Sequence, residues 1–346
     1  MARSRKKLAF LQVIKSYLIL HYYHMPYIAQ SSFKSPLLHR CGHVQTIYAS
    51  IFRELPNLHY QRERIITRDN DFLDLDWLRS DSANLVVLSH GLEGNSNRSY
   101  IKGMALVYKN AGWDVLAWNN RSCSGEMNLA LKLYHHGDTE DLEDVVCHAI
   151  EKKYKNIILV GFSMGGSQII KYLGSKTGKI PEPIRGSIVF SVPFNLGDSA
   201  RKLSDFGNTV YRKRFLEKLK NKMLLKHEQY PEHIDISEIN SIKDFQQFDN
   251  TFTAPIFGFK HANDFYKSGS AFYYLQNINV PVLVVNAAND PMLPGSCYPI
   301  QESEKNKFVY LEIPKGGGHV GFYDGDKQIY WSERRALQFT SDTIMA

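Results

Sequence analysis

The sequence predicts an α/β fold, a mostly parallel sheet covered by helices on both faces. From about Arg62 onward, short runs rich in Val, Ile and Leu alternate with helical patterns. Most of these runs are continuously apolar, as strands buried on both faces must be. One of them, Asn156–Val160, passes directly into Gly161-Phe162-Ser163-Met164-Gly165 and then into a helical pattern reaching about Tyr172. A strand, a glycine-flanked turn and a helix in immediate succession make a joint of a parallel layered fold.

Composition is consistent with this. A chain of 346 residues with 43% hydrophobic and 22% charged side chains can bury a large core and is not a disordered polymer. The first thirty residues stand apart. Arg3, Arg5, Lys6 and Lys7 precede the apolar run Leu8–Leu20, which superficially resembles a signal peptide. Gln12, Lys15 and Ser16 interrupt it, no small-x-small site follows before Tyr22, and it is too short to span a bilayer. It reads as a basic amphipathic segment over 1–30, ahead of one domain over 31–346. Packing on that domain is the preferred reading, with peripheral contact to the inner face of a membrane as the alternative.

Arg62–Thr67 and Phe72–Trp77, separated by Arg68-Asp69-Asn70-Asp71, form a hairpin pattern. Leu85–Ser89 is a buried strand, followed by the loop His90–Gly94 and a helix from about Tyr100 to Ala111. Trp113–Trp118 is the next strand. Thr139–Lys152 reads as a helix with Asp138 as its N-cap. After the Ser163 turn come strands at Gly186–Val192, Val280–Asn286 and Phe308–Ile313. Between about 195 and 275 no buried strand is evident, only helical, charged and aromatic sequence. Inserted there, it would sit above the carboxyl ends of the strands as a helical cap. Its aromatic residues, among them Phe252, Phe257, Phe265 and Tyr266, suit an apolar pocket, although such stripes more often form plain core.

The turn around Ser163 is too tight for side chains at its flanks, and it lifts the hydroxyl clear of the sheet. A serine becomes a nucleophile when a histidine takes its proton and a carboxylate steadies the resulting imidazolium. Asp290 follows the Val280–Asn286 run, and His319, in a glycine-rich loop, follows Phe308–Ile313. Alone, each has a plain reading: an aspartate before proline initiates turns, and a histidine among glycines is often merely exposed. In the order Ser, Asp, His, each after its own strand, they form a nucleophilic set. Asp249 and Asp264 are the competing acids and His261 the competing base, all in the inserted stretch. The oxyanion donors would be the backbone N–H groups of Leu92 and Met164. His90 reads as a structural residue that fixes its loop.

The net charge of +7 includes a basic run from Arg201 to Lys226, for which a solvated helix face is the preferred reading over attraction to an anionic partner. No nucleic-acid-binding pattern is present. Cys41, Cys123, Cys147 and Cys297 are dispersed, without C-x-x-C spacing, which fits a reducing cytoplasm and no metal site.

Taken together, these segments resemble the YheT-like branch of the α/β-hydrolases, which includes medium-chain fatty acid ethyl ester synthase/esterases. The resemblance rests on Gly42–Thr46, His90–Gly94 with Tyr100, Asn119–Glu126, His136–Leu142, the Ser163 turn, Phe248–Phe252, Asn289–Pro291 and Gly317–Phe322. It implies an α/β-hydrolase fold, a charge-relay set of Ser163, Asp290 and His319, and no cofactor. The implied activity is hydrolysis of short- to medium-chain or lipid-like carboxylic esters. Acyl transfer to an alcohol is the alternative within that chemistry, and a non-catalytic lipid-binding or scaffold protein the alternative outside it. Ser122 departs from the glycine usual after Arg121, so the backbone is expected to differ there.

Overall fold

At the centre of the sheet β4 (Asn84–Ser89) runs parallel to β6 (Asn156–Phe162), pairing Val86 with Ile158 and Leu88 with Val160. In the computed structural model, which describes residues 27–176 and 179–346, these two strands belong to a nine-stranded sheet. The segment Leu8–Leu20 lies outside the described residues. The other strands are β1 (Tyr27–Ile28), β2 (Gln61–Ile66), β3 (Phe72–Leu78), β5 (Asp114–Trp118), β7 (Ile184–Phe190), β8 (Val282–Val285) and β9 (Val309–Glu312). Their spatial order is β1-β9-β8-β7-β6-β4-β5-β3-β2, with β3 antiparallel to both β2 and β5 and every other pair parallel.

Side chains alternate across the sheet with the period of a strand, which divides the core in two. Leu85, Val87, Ile157 and Leu159 face one layer; Val86, Leu88, Ile158 and Val160 face the other. The helices are α1 (Gly42–Ile51), α2 (Ser99–Asn110), α3 (Glu140–Glu151), α4 (Met164–Ser175), α5 (Leu196–Leu203), α6 (Thr209–Gln229), α7 (Phe245–Phe248), α8 (Ala262–Gly269), α9 (Ile300–Lys305) and α10 (Trp331–Phe339), besides shorter turns. The first layer is sealed by α3 and α4 through Val145, Val146, Ile169 and Leu173. The second is sealed by α2 and α10 through Ile101, Met104, Trp331 and Phe339.

Differences from the expected elements have local causes. The cap of α3 is Thr139 rather than Asp138, although the Asp138 carboxylate accepts the Glu140 N–H at 3.2 Å. β8 begins at Val282 because Pro281 has no N–H for the ladder; its carbonyl instead accepts from Ser187. Ser122 takes the left-handed conformation, φ 58°, that a glycine adopts freely, and its hydroxyl is tied to Asn128 at 2.6 Å. α1, α10 and β1 have no counterpart in the expected elements.

Between β7 and β8 the chain is helical through α5 to α8, with no strand. Leu219, Met223, Phe248, Phe252, Phe265 and others pack there as a separate cluster that also takes in Met164 beside the serine. Among the described residues no helix is long and apolar enough to cross a membrane.

Candidate active site

The turn from β6 into α4 forces Ser163 to φ 53° and ψ −117°, a strained conformation for a residue with a side chain. Glycine at 165 is a packing requirement: a Cβ there would sit 2.5 Å from the Ser89 carbonyl oxygen. The strand and helix can therefore approach closely enough to project Ser163 at the end of the sheet.

Ser163, Asp290 and His319 come together. His319 Nε2 lies 3.0 Å from Ser163 Oγ, and His319 Nδ1 lies 2.8 Å from Asp290 Oδ2. A carboxylate only accepts, so the proton sits on Nδ1 and Nε2 is left to accept the serine O–H. The Asp290 side chain is wholly buried, and its other oxygen accepts the Met292 N–H at 2.9 Å. Asp290 is therefore held from two sides rather than serving only as a turn former.

The His319 loop is fastened by residues that sequence reasoning did not single out as functional. Thr46 Oγ1 accepts the His319 N–H at 2.9 Å, and Ser191 Oγ accepts the Val320 N–H at 2.9 Å. Gln45 spans the Tyr323 backbone, donating to its carbonyl at 2.8 Å and accepting its N–H at 2.9 Å. Asn289 Oδ1 accepts the Gly318 N–H at 3.0 Å. The motif Gly42–Thr46 was the available signal, and its physical content is a brace under the histidine.

The loop after β4 is similarly fixed. The buried His90 donates from Nδ1 to the Gly91 carbonyl at 2.7 Å and accepts the Asn120 N–H on Nε2 at 3.1 Å. Burial lowers its pKa to about 4, which keeps it neutral and suits a structural residue. Glu93, at φ 55°, is the next anchor. Its carboxylate accepts from Lys222 Nζ at 2.8 Å and from the Tyr134 hydroxyl, and Arg98 donates to its carbonyl at 2.8 Å. Between these anchors the Leu92 N–H makes no hydrogen bond among the described residues. Met164 is the first residue of α4, so its N–H has no partner within the helix.

Lys222 corrects the reading of the basic run as a solvated face. Its side chain is 12% exposed and paired with Glu93, while Lys226, fully buried, donates to the Asn128 and Ala130 carbonyls. Among the competing residues, His261 caps α8 by accepting the Asp264 N–H; the two side chains are 56% and 41% exposed, and neither lines the cavities at Ser163. Asp249 is buried against Thr253 at 2.6 Å and Tyr266 at 2.8 Å, with burial pushing its pKa up to about 7.

Two cavities meet at Leu92, Ser163 and His319. One is narrow, about 100 Å³, and lined by apolar side chains such as Leu133, Leu196, Leu219, Phe248 and Phe252. His136 also lines it, its pKa lowered to about 4 by burial and by neighbouring His319. The other is wider, about 690 Å³, and carries several cations. Among the described residues no group of three or more His, Cys, Asp or Glu side chains is arranged to hold a metal ion.

The sheet order, the strained serine turn and the Ser163–His319–Asp290 contacts define an α/β-hydrolase architecture. The chain belongs to the α/β hydrolase fold family, whose pattern matches residues 84–326. It is 30% identical over 314 residues to phospholipase ABHD3 of Mus musculus, covering 87% of this chain and 76% of that one. It is 29% identical to the putative esterase YheT of Escherichia coli (strain K12), covering 82% and 84%, in line with the branch expected from the sequence. Among solved structures the Pyrococcus furiosus esterase Pf2001 superposes with a TM-score of 0.56 at 18% identity, covering 84% of this chain and 96% of that one, which speaks for the fold.

Proposed function

We propose that this protein is a serine hydrolase of carboxylic esters with short- to medium-chain or lipid-like acyl groups. The observation that carries the reading is the hydrogen-bonded series Ser163, His319, Asp290 at the junction of an apolar and a polar cavity. The esterase and phospholipase names of the relatives support the same bond type.

Ser163 Oγ attacks the ester carbonyl carbon as His319 Nε2 takes its proton. The carbonyl electrons move to oxygen, where the Leu92 and Met164 N–H groups stabilise the charge. On collapse the bond to the alcohol oxygen breaks, and that oxygen leaves with the proton from His319. Water then attacks the acyl-serine with Nε2 again as base, releasing the acid and restoring Ser163. Asp290 holds the Nδ1 tautomer throughout. No cofactor or metal enters these steps.

The helical segment of about 195–275 acts as a cap in this reading, its apolar residues forming the acyl cavity. The narrowness of that cavity favours short and medium chains over long ones. Acyl transfer to an alcohol would share every step up to the acyl-enzyme and differ only in the acceptor. The four unpaired cysteines accord with a cytoplasmic location. The expected contact of the N-terminal segment with the inner membrane face is tested by liposome flotation of the full chain against residues 27–346, which keep β1, and equal recovery in solution would end that idea.

Labelling with a fluorophosphonate tests the nucleophile. Wild-type protein should carry the adduct on the peptide containing Ser163, and Ser163→Ala should not. An adduct elsewhere, or none, would remove the mechanism.

A further inference from the structure

The two cavities that share Ser163 differ in charge as well as width. The wide one is bordered by Arg53, Arg98, Lys102, Arg214 and Lys218, with Glu54 and Glu93 as its carboxylates. Arg53 is taken by Glu333, and the Glu93 carboxylate by Lys222. The remaining four cations have no carboxylate partner among the described residues. They come from two separate elements, Arg98 and Lys102 at the start of α2 and Arg214 and Lys218 on α6, and all four line the wide cavity.

These charges act on each other. The pKa of Lys218 is lowered, first by burial and then by Arg98, with Arg214 and Lys222 adding to the effect against Glu93. Arg98 and Lys218 both donate to the Glu93 carbonyl, at 2.8 and 3.3 Å, so they are held in place rather than dispersed into solvent. Cations of a purely solvated face would spread apart. Cations gathered in one cavity raise the local potential for an anion and are stabilised when one arrives. The guanidinium and ammonium groups suit phosphate and carboxylate oxygens.

We infer that the wide cavity receives the alcohol side of the ester and that this alcohol bears an anionic group, a phosphate or a carboxylate, held by Arg98, Lys102, Arg214 and Lys218. The assignment of ends rests on the ester-hydrolase reading: with the acyl chain in the apolar cavity, the other side of the scissile bond faces the cations. An anion held there would select among esters of identical acyl chain.

Three octanoyl esters test this with the full-length protein: monooctanoylglycerol, its 3-phosphate, and octanoylglycerate. At low salt, kcat/KM for at least one charged ester should exceed that for the neutral one by about tenfold or more. The charged-to-neutral ratio should fall at least about fivefold in Lys102→Glu/Arg214→Glu and shrink with added salt. Whichever charged ester is preferred identifies the anion. A ratio near one, or a ratio untouched by the double variant, overturns the inference.

Calorimetric binding of the same esters to Ser163→Ala separates this from the hydrolytic reading. If wild type hydrolyses no ester, yet the phosphate or carboxylate ester binds Ser163→Ala about tenfold tighter than the neutral one and loses that advantage with the two charge reversals, the anion site stands and the hydrolase reading falls. Equal binding of neutral and charged esters removes the anion site, whatever the rates.

Discussion

The hydroxyl of Thr46, on the first helix of the domain, accepts the backbone N–H of His319 at 2.9 Å, and the same hydroxyl donates to the Gly42 carbonyl at 2.7 Å. One side chain thereby couples α1 to the loop that carries the imidazole. Thr46→Val keeps the shape and removes the acceptor, leaving a buried N–H without a partner. That should cost about 1–3 kcal/mol of stability and lower kcat about tenfold as the ring drifts from Ser163. Thr46→Ser should retain most of both. Urea midpoints and ester kinetics on the two variants check this; equal behaviour of Val and Ser would mean the hydroxyl does not position the histidine.

A second brace acts on the loop that would hold the oxyanion. Lys222 of α6 reaches Glu93, whose neighbour Leu92 lines the cavity at Ser163 and would supply an oxyanion N–H in the proposed mechanism. Because an oxyanion exists only in the transition state and intermediate, loosening this loop should appear in kcat with KM little changed. Lys222→Met is expected to lower kcat about tenfold. A variant with a normal kcat and a raised KM would show that the pair shapes substrate binding instead.

Two of the three candidate acids, Asp290 and Asp264, are separable by substitution. Asp290→Asn should lower kcat by roughly ten-thousandfold, because the amide cannot hold the imidazole in the required tautomer. Asp264→Asn, on the exposed end of α8, should remain within about twofold of wild type. Comparable losses in both would undermine the assignment of Asp290.

Asp249 makes stability depend on pH. Its folded pKa of about 7 lies above the ordinary 3.8, so the folded state holds a proton that the unfolded state gives up first. Its contribution to stability is fully present below about pH 4, fades as pH rises through 7, and then levels off. Asp249→Asn removes that dependence. Between pH 5 and 7.5 the wild type should lose on the order of 1–3 kcal/mol relative to the variant, read from urea midpoints. Parallel pH profiles would show that the Asp249 carboxyl titrates normally.

The central strands and the three residues of the candidate site were legible because their signals are local. β4, β6, β8 and β9 are built on short runs rich in Val, Leu and Ile, β7 ends in Ile188-Val189-Phe190, and Ser163, Asp290 and His319 each follow one of these strands. Strand ends shifted where a single residue decides the ladder, as Pro281 does at β8. The braces were not legible as such: Gln45 and Thr46 act on a loop over 270 residues away in sequence, through a few side-chain hydrogen bonds that leave no periodic trace. Lys222 and Lys226 looked like members of a solvated basic run. The same helix buries Leu216, Leu219 and Met223, and these two lysines turn inward beside them to carbonyls and a carboxylate. Charge alone does not distinguish a lysine facing water from one facing Glu93.

Hydrolysis of p-nitrophenyl esters from acetate to palmitate by wild type and Ser163→Ala tests the central claim most directly. Wild type should show activity peaking at short to medium chains, and Ser163→Ala should turn over roughly four to six orders of magnitude more slowly. Equal rates in the two proteins would contradict a nucleophilic Ser163 and with it the proposed mechanism.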